Sequence, residues 1–275
     1  MIIFENSRDF AARLDREDPL ARFREEFNFP LDKRGRSPVY LCGNSLGLQP
    51  KKAVEYVEEE LANWGKYAVD GHFHSERPWI SYHRLATQGF ADLAGALPHE
   101  VVAMNTLTVN LHVLMASFYR PTPDRYKIVI EKGAFPSDNY AAASQLRVHG
   151  FDPATSLLEW APPAGEELLR TEDLAALLER EGESVALLLL PGIQYYTGQA
   201  LDMAAICELG RRHGCRVGLD LAQAGGNVPQ SQNDRAPEFA SWCPYKYLAL
   251  IHKTEPPRPP SPERMPSSAC LRGGG

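Results

Sequence analysis

Apolar residues recur along this chain in helical and strand-like rhythms. From 51 to 64, Val54, Val57, Leu61 and Trp64 return at helical spacing and predict one buried stripe, with Glu58, Glu59 and Glu60 facing outward. A second amphipathic helix is predicted over 79–97 through Ala86, Phe90, Leu93 and Leu97, ended by Pro98. The charged stretch 8–27 also reads as a helix; a turn around Pro30 and KRGRSP then leads to a strand in VYLCG at 39–43. Farther on, a short apolar strand turns at Asn105 and Thr106 into a helix carrying Val109, Val113, Met115 and Phe118.

The second half is more regular. A strand over 126–131 leads through a turn from Gly133 to Asp138 into a helix, and residues 171–181 form another helix opened by Thr171. SVALLLLPGI is a continuous apolar run, the pattern of a strand buried on both faces of a parallel sheet. YYTGQALD reads as a turn, MAAICELGRRHG as a helix with Gly214 past its end, and RVGLDLA as the next strand. This alternation predicts an α/β fold, a mainly parallel sheet flanked by helices and joined by right-handed crossovers.

With 275 residues, 44% of them apolar, the chain is long enough for one large α/β domain or two smaller ones. The formal charge of -6 arises from interspersed residues without a basic block, which argues against nucleic acid as a partner. Cysteines 42, 207, 215, 243 and 270 show no CxxC or Cys/His ligand spacing, so reduced thiols and no metal site are expected. Eight charged residues between Glu5 and Asp18 interrupt any apolar secretory segment, and no apolar run is long enough to span a membrane; a cytoplasmic location is the expectation. The stretch EPPRPPSPERMPSSACLRGGG reads as a disordered tail. The expected organisation is an N-terminal helical segment with its loops over 1–75, a large α/β domain over 76–252 and the tail over 253–275.

Candidate chemistry gathers near the C-terminal half. Asp220 ends an apolar strand and Lys246 lies between two tyrosines. Such a pair suits pyridoxal phosphate: the amine condenses with the cofactor aldehyde, and the carboxylate keeps the pyridine nitrogen protonated. Other positions keep two readings. Thr106 or Thr108 caps an ordinary helix or leaves its N-terminal N–H groups for a phosphate. Phe135 stacks on a planar ring or plugs the core, and Asp138 caps its helix or reaches a cofactor hydroxyl. GNSLGLQP lets backbone or hydroxyl approach a ligand or is a plain turn, and the histidines of DGHFHSERPW bind a substrate carboxylate or lie on the surface.

Side by side, GNSLGLQPK, the GH-x-x-x-x-RPW loop at 71–79, MNTLTVNLH, RYKIVIEKGAFPSD, YYTGQ, GLDLA and WC-x-YKYL resemble kynureninase, a fold-type-I pyridoxal phosphate hydrolase, from about residue 8 to Leu248. The resemblance implies that Lys246 forms the internal aldimine and Asp220 pairs with the pyridinium nitrogen. It implies that Phe135 stacks on the ring within the cofactor-binding segment Phe135, Pro136, Ser137 and Asp138, with Asp138 near the phenolic oxygen. Leu107 and Thr108 with Tyr245 would hold the phosphate, Tyr245 would also act beside Lys246 in catalysis, and Ser45 and His72 would line the substrate side. Gln223 stands in the cofactor's surroundings where the family usually has histidine, and Pro191 where it has a small polar residue; glutamine donates a hydrogen bond but cannot become cationic.

The reaction implied is hydrolysis of L-kynurenine or 3-hydroxy-L-kynurenine to anthranilate or 3-hydroxyanthranilate and L-alanine, in tryptophan catabolism towards NAD, by a homodimer. The match ends after YKYL, so the family's small C-terminal domain is expected to be missing and turnover by this chain to be weak. A non-catalytic form that binds the cofactor weakly or pairs with full-length subunits, and another fold-type-I enzyme such as a desulfurase or aminotransferase, are the alternative readings.

Overall fold

The computed structural model describes residues 4–247 and the backbone of Cys270 and Leu271. The chain separates into two compact units, one ending at Pro78 and the other beginning at Trp79.

In the first unit, helix α1 (Arg8–Glu17) starts at Ser7, whose hydroxyl accepts from the Phe10 N–H at 3.1 Å. The helix expected over 8–27 stops early: its next turn is a separate 3₁₀ segment, Ala21–Glu26. Strand β1 (Phe27–Asn28) pairs antiparallel with β2 (Gln49–Pro50), and α2 (Lys52–Tyr67) and the single turn α3 (Gly71–His74) follow. VYLCG does not form the expected strand. Val39 and Leu41 are exposed and their segment has no ladder partner, without which an extended run has no sheet to join. The α2 stripe has the predicted spacing but is not buried: Val57 is 60% and Trp64 66% exposed. Periodicity gave the helix its amphipathic face, and no apolar layer covers that face among the described residues.

The second unit is a layered α/β structure. The helix expected over 79–97 is divided into a 3₁₀ segment, Trp79–Ala86, and α4 (Thr87–Ala94), which ends at Gly95 in the left-handed region (φ +58°) rather than at Pro98. Next come α5 (Leu107–Phe118), β3 (Lys127–Glu131), α6 (Pro136–Val148), α7 (Pro153–Ser156), β4 (Leu157–Trp160), α8 (Thr171–Glu181), β5 (Val185–Pro191), α9 (Met203–Arg212), β6 (Arg216–Asp220), α10 (Gln232–Arg235), β7 (Phe239–Ser241) and the edge pair β8 (Cys270–Leu271). The sheet order is β4-β3-β5-β6-β7-β8, parallel throughout except for β8. Apart from the backbone of β8, the expected disordered tail lies outside the described residues.

All seven residues of β5 are buried, as its apolar run predicts for a central parallel strand. The sheet sorts its side chains by alternation. Ile128, Ile130, Leu187, Leu189 and Phe239 pack with α5 and α6 through Leu111, Met115 and Leu146. Val129, Leu188, Leu190, Val217 and Leu219 join the other core with Leu174, Leu178 and Ile206 of α8 and α9. Gly218 is required by this packing, because a Cβ there would collide with the buried Phe239 ring of β7. Asp202 caps α9 by accepting from the Ala205 N–H at 3.0 Å.

Candidate active site

Open parallel sheets present their chemistry beyond the C-terminal ends of the strands. Asp220 closes β6 there, in register with Ser241 of β7 and Pro191 of β5. It is 7% exposed, and one carboxylate oxygen accepts from the Ala222 N–H at 2.7 Å. Burial pushes this carboxyl well above the usual carboxylate range, and Asp138 pushes it further by its charge and by a side-chain hydrogen bond. Asp138 arrives from the first turn of α6, where the Ser137 hydroxyl donates to it at 3.1 Å. The start of α6 directly after the β3 turn brings the first turn of α6 to the end of β6, close enough for the Asp138 carboxyl to act on that of Asp220.

Glu131, the last residue of β3, is a third buried acid. Burial pushes its carboxyl up to about 8, and the charge of Asp138 adds to the effect. Its approach to two other carboxyls is visible only in the fold.

Phe135 occupies the N-cap position of α6, followed by Pro136 at the first helical position, where a missing N–H costs nothing. Phe135 is 44% exposed and belongs to neither apolar core, so it does not plug the interior. The Lys246 Nζ stands 5.9 Å from the Phe135 ring centroid, and Tyr195 meets the same ring edge-on at 5.1 Å. Lys246 reaches this place from the turn that follows β7 and Cys243. Its neighbour Tyr245 has its hydroxyl pushed up to about 12, first by a hydrogen bond with Cys243 and then by burial. The Tyr247 hydroxyl donates to Gln223 Oε1 at 2.9 Å, so the turn after β6 and the lysine-bearing turn are tied together.

Leu107 and Thr108 open α5. Thr106 is its N-cap residue, yet no side chain caps the helix, so the threonine cap expected from sequence is not made. The Asn110 side chain fixes the turn instead, accepting from Asn105 N–H and donating to Asn105 O, both at 3.1 Å. At the far end of the helix the Tyr119 hydroxyl donates to Tyr126 O, directly before β3. Leu107, in the first turn of α5, packs against the same core as Ala134, the residue before Phe135.

Ser45 and His72 belong to the first unit. Ser45 is exposed in a turn where its N–H donates to Cys42 O at 2.9 Å, and His72 is exposed on α3 with its ring 6.2 Å from that of Phe73. Among the described residues no three His, Cys, Asp or Glu side chains are grouped to hold a metal. No helix among them is long and apolar enough to cross a membrane. A cavity of about 610 Å³ opens at the N-terminal ends of β6 and β7, lined in part by Arg120, Arg216 and Glu238, and one of about 370 Å³ lies beside Lys132, Gln194 and Tyr195. The smaller one adjoins the ring that contacts Phe135, so volume alone does not mark the chemistry.

No family model matches the chain. It is 53% identical over 246 residues to the kynureninase of Myxococcus xanthus, a match covering 90% of this chain and 58% of that protein. The kynureninase of Koribacter versatilis is 51% identical over 245 residues, covering 89% and 58%. The chain thus spans somewhat over half the length of these curated relatives. Among solved structures it is similar to a complex of the cystine C–S lyase C-DES with cysteine persulfide (TM-score 0.63, 18% identity, 76% of this chain and 53% of that one). It is also similar to the cysteine desulfurase CsdA of Escherichia coli (TM-score 0.64, 18% identity, 83% and 55%). Another C-DES structure carries glycine covalently linked to its PLP cofactor. The shared architecture is that of the large domain of fold-type-I PLP enzymes. Over the residues that align, the chain belongs to the kynureninase family.

Proposed function

We propose that this chain carries the pyridoxal phosphate site of a kynureninase, which hydrolyses L-kynurenine or its 3-hydroxy form to the corresponding anthranilate and L-alanine. The observation that carries the reading is the convergence of a lysine amine, an exposed aromatic face and a buried acid at the C-terminal edge of one sheet: Lys246 Nζ lies 5.9 Å from the Phe135 ring centroid, and Asp220 is buried at the end of β6. Identity near 50% to kynureninases favours this reaction over that of the C–S lyase and the desulfurase, which are 18% identical.

The residues fit the group. Asp220 and Asp138 are both buried acids at this edge, and Asp138 raises the cost of charging Asp220, a situation that a protonated pyridine nitrogen relieves. Phe135 offers a ring face not used by either core. The uncapped first turn of α5, with Leu107 and Thr108, offers N–H groups suited to a phosphate, and Tyr245 offers a hydroxyl. When bound, pyridoxal phosphate supplies a ring that withdraws electrons from the substrate's Cα. Lys246 would hold the cofactor, and its amine would carry the Cα proton. Asp220, with Asp138 beside it, would hold the proton on the ring nitrogen. Gln223, bonded to Tyr247, keeps the lysine turn in place. We place Ser45 and His72 on the substrate side, the working unit as a cytoplasmic homodimer, and the reaction in tryptophan catabolism leading to NAD.

Purified chain incubated with pyridoxal phosphate and L-kynurenine tests this. The expected result is a visible band that borohydride fixes on the protein, with anthranilate released and both signals lost in Lys246→Ala. A band without anthranilate would leave a cofactor-binding chain and remove the proposed reaction.

A further inference from the structure

The turn Gln194–Gln199 is tied down more heavily than a plain surface turn requires. Gln194 is buried, and both ends of its amide are used. Its Oε1 accepts from the N–H groups of Tyr196 at 2.6 Å and Thr197 at 2.9 Å, while its Nε2 donates to Gly133 O at 3.1 Å. The same residue's backbone closes the turn, its N–H donating to Gln199 O and its carbonyl accepting from Gly198 N–H, both at 2.9 Å. Gln199 in turn grips Leu169 through both backbone groups, at 2.9 and 2.7 Å. One buried amide therefore joins the loop after β5 to the loop after β3, which leads two residues on to Phe135.

The rigid turn presents Tyr195. Its ring meets Phe135 at 5.1 Å and 84°, the edge-to-face geometry in which one ring's positive edge faces the other's negative face. Neither ring is in a core, so apolar burial does not explain the pair. We propose that Tyr195 is a positioning residue that sets the tilt of Phe135 towards Lys246, and that Gln194 fixes Tyr195; this rests on the cofactor reading above.

The full chain is titrated with pyridoxal phosphate, following the visible band and its circular dichroism, in wild type, Tyr195→Phe, Tyr195→Leu and Gln194→Ala. Tyr195→Phe keeps the ring and should bind within about twofold of wild type. Tyr195→Leu should weaken cofactor binding about threefold to tenfold and reduce the dichroism of the band, with an unchanged melting temperature because the ring is half-exposed. Gln194→Ala should act in the same direction. Wild-type affinity and dichroism in both Tyr195→Leu and Gln194→Ala would overturn the proposal. A wild-type chain with no band fixed on Lys246 would instead overturn the cofactor reading and this inference with it.

Discussion

Lys246 and Asp220 stand out in the sequence for a physical reason. An acid at the end of an apolar strand and a lysine between aromatic residues are costly placements unless a ligand uses them. What single residues did not reveal is how they are grouped. Asp138 was read as a cap or a hydroxyl contact, and it lies close enough to Asp220 to raise that carboxyl; Glu131 was not singled out, and it stands close enough to Asp138 to feel its charge. Lys246→Ala should lower kynurenine hydrolysis by about 10³-fold or more, measured as anthranilate release, because it removes both the covalent attachment and the proton carrier. Glu131 makes a separate prediction about stability. Its carboxyl rises from an ordinary value of 4.5 to about 8 on folding, so the folded chain binds that proton more tightly than the unfolded one. Its contribution is fully present below pH 4.5 and is lost as pH rises towards 8. Thermal melting of the cofactor-free chain should therefore show Glu131→Gln gaining on wild type between pH 5 and pH 8; a constant difference across that range would contradict the buried-acid assignment.

Elements were legible where length and apolar continuity were strong. β5, α8 and α9 lie where the pattern put them, and the parallel order follows from their alternation. Short strands were not. β4 and β7 have four and three residues, too few for a period to register, and are defined by their neighbours in the sheet. The region 79–97 has helical periodicity, but Gly95 adopts a left-handed conformation and the first part tightens to 3₁₀. The α2 stripe shows the converse: a correct helix and an incorrect burial, since periodicity reports which face is apolar and not what covers it. Two substitutions separate these cases. Leu188→Ala, in the fully buried β5, should cost about 2–5 kcal/mol in chemical denaturation. Leu61→Lys on the exposed face of α2 should change stability by about 0.5 kcal/mol or less. A large loss from Leu61→Lys would show that the stripe is covered after all.

For the whole molecule, the α/β class and the mainly parallel sheet followed from the strand–helix rhythm. The family followed from several motifs in fixed order, which the identity to kynureninases bears out over about nine-tenths of the chain. That similarity spans 58% of the relatives' length, so the chain is judged by what its own residues assemble. They assemble a lysine, an exposed aromatic ring and a buried acid at one sheet edge. Borohydride reduction after incubation with pyridoxal phosphate, followed by peptide mass spectrometry, tests this most directly. One pyridoxyl group per chain is expected, on Lys246, with occupancy reduced in Asp220→Asn; label spread over surface lysines, or unaltered in Lys246→Ala, would contradict a cofactor site at this lysine.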